Sequence, residues 1–335
     1  MSKFKKKKQQ QQSEEIKVQR PIVATLIPCY KQPHPKMQHA FAALVEHTRK
    51  HGVDIFARPI IQSSVVHWTR NSLLADLIKS EQPFTHVLFI DDDIVPQPDY
   101  LVRMLKHNVD IIAALCTRRQ DPPIPNARLY NQEAKRFEEL WEFPDGLVEV
   151  GAVGTGMFLM SRHALQQTAE IYFQCLHEKE FLGISGMLSD MKSLGKEQED
   201  GWCFCGTPEH SAGCKAARIA ISSLESKFKI MSEERGKAFD EDANAWWFRF
   251  LACENGVGEL GEDIGFCWAA HKYAGLKIYV DTTLQPEHMG DYGYSIPDFI
   301  QHRDPLIEDA KRKGRYLAPP SLLEPRRDKI TVVEG

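Results

Sequence analysis

The chain has 335 residues, 42% of them hydrophobic, enough for one large core or two modest ones. Lys and Arg number 42 against 46 Asp and Glu, a net charge of -4, which excludes a general basic field for nucleic acid and leaves any acidic ligand to be met locally. No apolar run approaches the roughly 20 residues that cross a bilayer and no apolar leader opens the chain, so the expectation is a cytoplasmic protein with no integral membrane segment and no nucleic-acid partner.

Residues 1–20, MSKFKKKKQQQQSEEIKVQR, join a lysine run to a glutamine run with almost nothing to bury, which predicts a disordered tail. After Pro21 the texture changes. IVATLI reads as a short strand, and MQHAFAALVEHTRK repeats its apolar residues at helical spacing. The alternation continues through VDIFARPI, TRNSLLADLIKS, HVLFI, PDYLVRMLKH and VDIIAALC. Short apolar strands separated by amphipathic helices predict an α/β fold, with a largely parallel sheet flanked by helices and ligands bound beyond the carboxyl ends of its strands.

Past residue 118 the alternation lapses, and Pro122, Pro123 and Pro125 predict an irregular excursion. A second half follows with VGAVGTGMFLMSR, HALQQTAEIYFQCLHE, WWFRFL and GEDIGFCWAAHKYAGLKIYVD. Residues 180–242, rich in Gly, Ser and charge, read as a polar insertion. The expected organisation is one domain over 21–300 carrying that insertion, with a C-terminal extension over 301–335.

FIDDDIVP places Asp91, Asp92 and Asp93 where the strand HVLFI ends. Three adjacent carboxylates repel one another and raise one another's pKa unless a cation sits among them. Hard oxygen ligands suit Mg2+ or Mn2+. Alternation along an extended chain turns Asp91 and Asp93 to one side and Asp92 to the other, so the metal is expected at Asp93, the nucleotide at Asp91, and Asp92 in a supporting and replaceable role. The plain alternative is an Asp-rich turn before a helix.

Four ordered blocks, ATLIPCY, TRNSLLADLI, FIDDDIVP and GEDIGFCWAAHKYAGLKIYVDTTLQPEHMG, resemble the nucleotide-sugar-dependent glycosyltransferases of the GT-A fold, particularly the family 2-like group. The resemblance covers most of residues 21–290. It implies a Rossmann-like GT-A sheet, a nucleoside diphosphate sugar donor, an acceptor it does not identify, and a metal site of Asp91, Asp93 and His288. Pro28, Tyr30, Arg70, Asn71, Asp91 and Asp92 are the expected donor-binding residues; a guanidinium at Arg70 suits phosphate. Asp263 is the expected base of an inverting transfer, with Glu262 holding the acceptor or exchanging roles with it; a retaining transfer is the open alternative. Gly154, Thr155, Gly156 and Trp247 are expected to wall the sugar and acceptor pocket, although tight-turn and core roles also suit them.

Inside the insertion, Cys203, Cys205, His210 and Cys214 offer the donors of a structural zinc site, while free thiols are the simpler state. Two rival readings accompany the transferase. A sugar-nucleotide nucleotidyltransferase would carry a Gly-rich loop after the first strand, where PCYKQPHP has none. A non-catalytic nucleotide-sugar-binding module could keep the fold without turnover, and the presence of Asp93, Asp263 and His288 argues against it.

Overall fold

The computed structural model describes residues 20–30, 32–58, 61–62, 65–169, 189, 191–193, 196–198, 201–203, 212–235, 247–248, 251–252, 259–290 and 292–323. Residues 1–165 and 248–335 make one compact unit and 166–247 a second.

The first unit is built on a seven-stranded sheet. Its strands are β1 (Ile22–Leu26), β2 (Asp54–Ala57), β3 (His86–Ile90), β4 (Ile111–Ala114), β5 (Leu147–Val150), β6 (Met157–Ser161) and β7 (Ile278–Asp281). They lie in the order β5-β7-β4-β6-β3-β1-β2. Strands β1, β2, β3, β4 and β7 run one way, and β5 and β6 run against them. The fold is therefore the mixed, largely parallel α/β sheet that the alternation predicts, consistent with a GT-A-like, Rossmann-like architecture.

Alternation along the strands divides the core. Leu88 and Ile90 of β3 point to one face, where Val23, Ile112 and Leu159 join Met37 and Leu44 of α1 (Pro35–Lys50) and Leu101 and Leu105 of α2, the helix Tyr100–Lys106. Phe89 points to the other face and meets Phe248 edge-on at 5.3 Å, while Phe158 meets Phe266 at 5.8 Å. Phe266 belongs to α3 (Glu262–Ala274), whose buried face includes Ile264, Cys267 and Ala270. The helix Val66–Lys79 buries Leu73, Leu74 and Leu77.

Two small sheets aim the loops. Ile94–Val95 pairs with Glu287–Met289, which pairs with Gly293–Tyr294, so His288 is stitched beside the end of β3. Ala127–Asn131, Arg136–Glu139 and Ala152–Val153 form an antiparallel three-stranded sheet. The irregular excursion expected at the prolines is short: it ends at Ala127, and the RLYN and RFEE segments that follow pair across a short reversal. The boundary expected at residue 300 runs through the helix Ile296–Arg312, whose Phe299 and Ile307 pack with Trp141. Beyond that helix, Leu323 N–H donates to the Leu147 carbonyl at 2.9 Å and lays the chain along β5.

In the second unit the described elements are the hairpin Lys196–Gln198 with Gly201–Cys203 and the helix Ala212–Arg235, with Cys214 and Ile221 buried. The expected tail 1–20 lies outside the described residues except for Arg20. Among the described residues no helix is long and apolar enough to cross a membrane.

Candidate functional site

The carboxyl ends of β1, β3 and β4, the approach to β6 and the first turn of α3 enclose a cleft of about 370 Å³. Pro28, Tyr30, Arg70, Asp91, Asp92, Asp93, Gly154, Thr155, Gly156, Glu262, Asp263 and His288 all line it. Segments up to 260 residues apart in the chain (28 to 288) thus converge on one concave surface, at the strand ends where open α/β sheets hold ligands.

Asp91 continues the ladder of β3, its N–H donating to the Gly156 carbonyl at 2.9 Å, and the chain then turns as Ile94 N–H reaches back to the Asp91 carbonyl at 3.1 Å. The aspartates therefore stand in a turn, and the alternation of an extended strand does not assign their roles. Arg70 Nη2 donates to Asp91 Oδ1 at 2.9 Å and Oδ2 at 3.2 Å, and Nη1 donates to Glu262 Oε1 at 3.0 Å. Arg70 is only 3% exposed. The guanidinium is a buried strut joining two carboxylates, as a buried cation has to be paired, and it still lines the cleft. Asp91, Glu262 and Asp263 outweigh burial and hold the Arg70 pKa above its ordinary value. Burial holds the Asp91 carboxyl above its ordinary range, against the pull of Arg70 and with the push of Asp93.

Asp92, expected to be replaceable, ties two loops together. Its Oδ2 accepts the Tyr30 N–H at 3.2 Å and its carbonyl accepts the His34 N–H at 2.8 Å. Tyr30 itself is 61% exposed at the rim.

Among the described residues no group of three or more His, Cys, Asp or Glu side chains is arranged to hold a metal ion. Asp91, Asp93 and His288 all line the cleft, with Asp91 paired to Arg70. The donors left are Asp93 and His288. Imidazole Nδ1 lies 2.6 Å from the Thr117 carbonyl oxygen, which places a hydrogen on Nδ1. Nε2 then faces Asp93 Oδ1 at 3.3 Å, so a proton or a cation has to lie between two acceptors. Burial opposes the imidazolium, but the hydrogen bond and charge of Asp93 outweigh it and hold the His288 pKa above its ordinary value. Arg119, half exposed, pairs with Asp93 Oδ2 at 3.0 Å. A divalent cation fits this donor set only as a two-ligand site completed by substrate oxygens and water.

Asp263 stands in the first turn of α3, where the helix dipole favours a carboxylate. Its Oδ1 accepts the Ile264 N–H at 2.7 Å, which pins the carboxylate, and a Cβ added at Gly154 would lie 3.2 Å from Oδ2 and 2.8 Å from Asn126 Nδ2. Glycine is what lets the β6 approach pass this close.

Asn71 and Trp247 do not line the cleft. The Asn71 amide is spent on the backbone of Phe248, donating to its carbonyl at 2.7 Å and accepting its N–H at 3.0 Å. Trp247 falls in the second unit and is fully buried, which leaves no ring face for a sugar. Of the four proposed zinc ligands, Cys205 and His210 lie outside the described residues.

Thr117, Arg118, Arg119 and Asn126, which belong to none of the motif blocks, also line the cleft. Thr117 Oγ1, Thr155 Oγ1 and Asn126 Oδ1 are buried with no hydrogen-bond partner among the described residues, an arrangement that is costly unless water or a ligand completes it. The one available signal was position, since TRR follows directly on a strand end.

No family model matches the chain, and no curated protein matches it. Among solved structures it is similar to A197 from STIV, with 12% identity and a TM-score of 0.34 over 81% of this chain and 86% of that one. It is also similar to a glycosyltransferase involved in the glycosylation of the major capsid of PBCV-1, with 11% identity and a TM-score of 0.26 over 43% of this chain and 62% of that one. Likeness this distant carries no argument about function.

Proposed function

We propose that the chain is a glycosyltransferase that moves a sugar from a nucleoside diphosphate donor to an acceptor hydroxyl. The observation that carries this reading is the convergence of all four motif blocks on one strand-end cleft whose walls hold a pinned carboxylate and a separate cationic corner. Asp263 is the base: Oδ1 is held by the Ile264 N–H, leaving Oδ2 to take the proton of the attacking hydroxyl. Glu262 is unsuited to that task, because Arg70 holds it as an ion pair. The two neighbours therefore divide the work, Glu262 fixing the helix start and Asp263 doing the chemistry.

The cationic corner is formed by Arg119 with Asp93 and His288. Mn2+ or Mg2+ held by Asp93 and His288 would supply Lewis acidity to the departing diphosphate. Arg119 adds charge at the same place and can meet phosphate oxygens as a fork. The hydroxyls of Thr117 and Thr155 and the Asn126 carbonyl suit the hydroxyl groups of a sugar, which both donate and accept.

The test is a thermal-shift screen of nucleoside diphosphates and their sugars, each with and without Mn2+. Binding to the folded state alone raises the transition temperature by mass action. At least one diphosphate nucleotide is expected to do so, and a screen in which none does overturns the reading.

A further inference from the structure

A second cavity of about 660 Å³ opens on the same unit, within the roughly 300–1,000 Å³ span of small-ligand sites. Three aromatic rings line it, those of Tyr130, Phe137 and Trp268. Tyr130 and Phe137 form a tilted pair with centroids 5.0 Å apart. A Cβ at Gly151, also in the wall, would come within 2.7 Å of the Tyr130 nitrogen and 3.1 Å of Phe137 Cε1, so only glycine lets this segment pass close enough for the two rings to hold their place in the wall. The Lys272 ammonium lies 4.6 Å from the centre of the Trp268 ring.

Resting on the transferase reading, we infer that this cavity binds a carbohydrate chain, the portion of the acceptor that lies away from the point of transfer. Two lines of argument lead there. The first is chemical. A sugar ring presents polarised C–H groups on its face and hydroxyls around its edge. Aromatic faces, which are electron-rich, attract the former. Gln132, Glu149 and His271 at the walls supply the donors and acceptors that the hydroxyls need. No arginine lines the cavity among the described residues, so the planar fork suited to phosphate is missing.

The second line is continuity. Each of three segments starts in the first cleft and ends in the second cavity. Asn126 leads into the strand that ends past Tyr130, Gly154 is reached from Gly151 through Ala152–Val153, and Asp263 begins the helix that carries Trp268 and His271. From Asp263 to His271 the helix rises about 12 Å at 1.5 Å per residue. The placing of Trp268 and His271 is thereby tied by one rigid helix to the placing of Asp263.

The experiment is calorimetric titration of the full chain with soluble oligosaccharides built from glucose, mannose, galactose, xylose or N-acetylglucosamine, in parallel with the nucleotide screen. One series is expected to bind, at least tenfold more weakly to Trp268→Ala and Tyr130→Ala than to the wild type, with Trp268→Phe close to wild type and nucleotide shifts unchanged in all three. Phe at 268 keeps the ring and guards against a variant that merely fails to fold. Binding by no oligosaccharide overturns the inference, as does binding that survives both alanine variants. Oligosaccharide binding that depends on Trp268 while no nucleotide binds leaves this site standing and removes the transferase reading instead.

Discussion

Arg70 and Glu262, 192 residues apart in the chain, meet at 3.0 Å with the guanidinium also gripping Asp91. The contact joins the helix Val66–Lys79, the end of β3 and the start of α3 into one wall of the cleft. Replacing Arg70 by Met strands two carboxylates whose side chains are 26% and 15% exposed. Removing one partner of a buried pair costs about 3–5 kcal/mol, and the residual solvent contact here lowers the expectation to roughly 3 kcal/mol. Arg70→Lys keeps the charge but not the fork, and is expected to fall between. Urea unfolding at neutral pH measures both, and a loss below about 0.5 kcal/mol for the Met variant would show that the strut is not structural.

Asp263→Asn keeps the shape of the side chain and removes its basicity. Transfer is expected to fall by about a hundredfold or more in kcat, with donor affinity unchanged, because the base acts on the acceptor proton. Glu262→Gln keeps one hydrogen bond to Arg70, so its expected effect is mainly on stability. Single-turnover kinetics with donor-binding measurements separate the two, and a loss of donor binding in Asp263→Asn removes Asp263 from the base role.

Gly154→Ala tests how closely the two walls pass. Its methyl group would lie 2.8 Å from Asn126 Nδ2 and 3.2 Å from Asp263 Oδ2, so one of them must shift. Overpacking of this kind costs roughly 1–3 kcal/mol, and displacement of the base is expected to reduce kcat more than it changes donor affinity. An alanine variant with wild-type kcat and stability would show that the wall yields freely.

Much of the fold was legible in local patterns, and HVLFI and IYVD are strands because short apolar runs between amphipathic helices have few other uses. The cleft was legible as a set of residues, since motif order survives in sequence. Individual roles were not. Alternation holds for extended chain, and the aspartates lie in a turn closed by the Ile94 N–H, so the contacts of Asp92 to Tyr30 and His34 are visible only in the fold. A guanidinium suits phosphate and carboxylate alike, and only the fold shows that the neighbours of Arg70 are Asp91 and Glu262. Thr117 and Asn126 are ordinary turn residues in sequence, and their interest comes from buried oxygens left without partners.

Acid stability provides a last test, centred on His86 at the start of β3. Burial lowers its pKa to about 4, against a smaller upward pull from Asp110. In the unfolded chain the imidazole titrates near 6.5, so between these values the unfolded state binds more protons and stability must fall as pH falls. The loss begins near pH 6.5, is complete near pH 4, and amounts to about 3 kcal/mol at most. Asp281 acts in a separate window. Its pKa is held down, against burial, by hydrogen bonds from His107 and Thr283, so its contribution disappears only below the ordinary carboxylate range. Urea midpoints at pH 7, 5.5 and 4.5 should therefore fall more steeply for the wild type than for His86→Gln, which has no proton to gain. Parallel curves for the two proteins would show that His86 is not protonation-linked to folding.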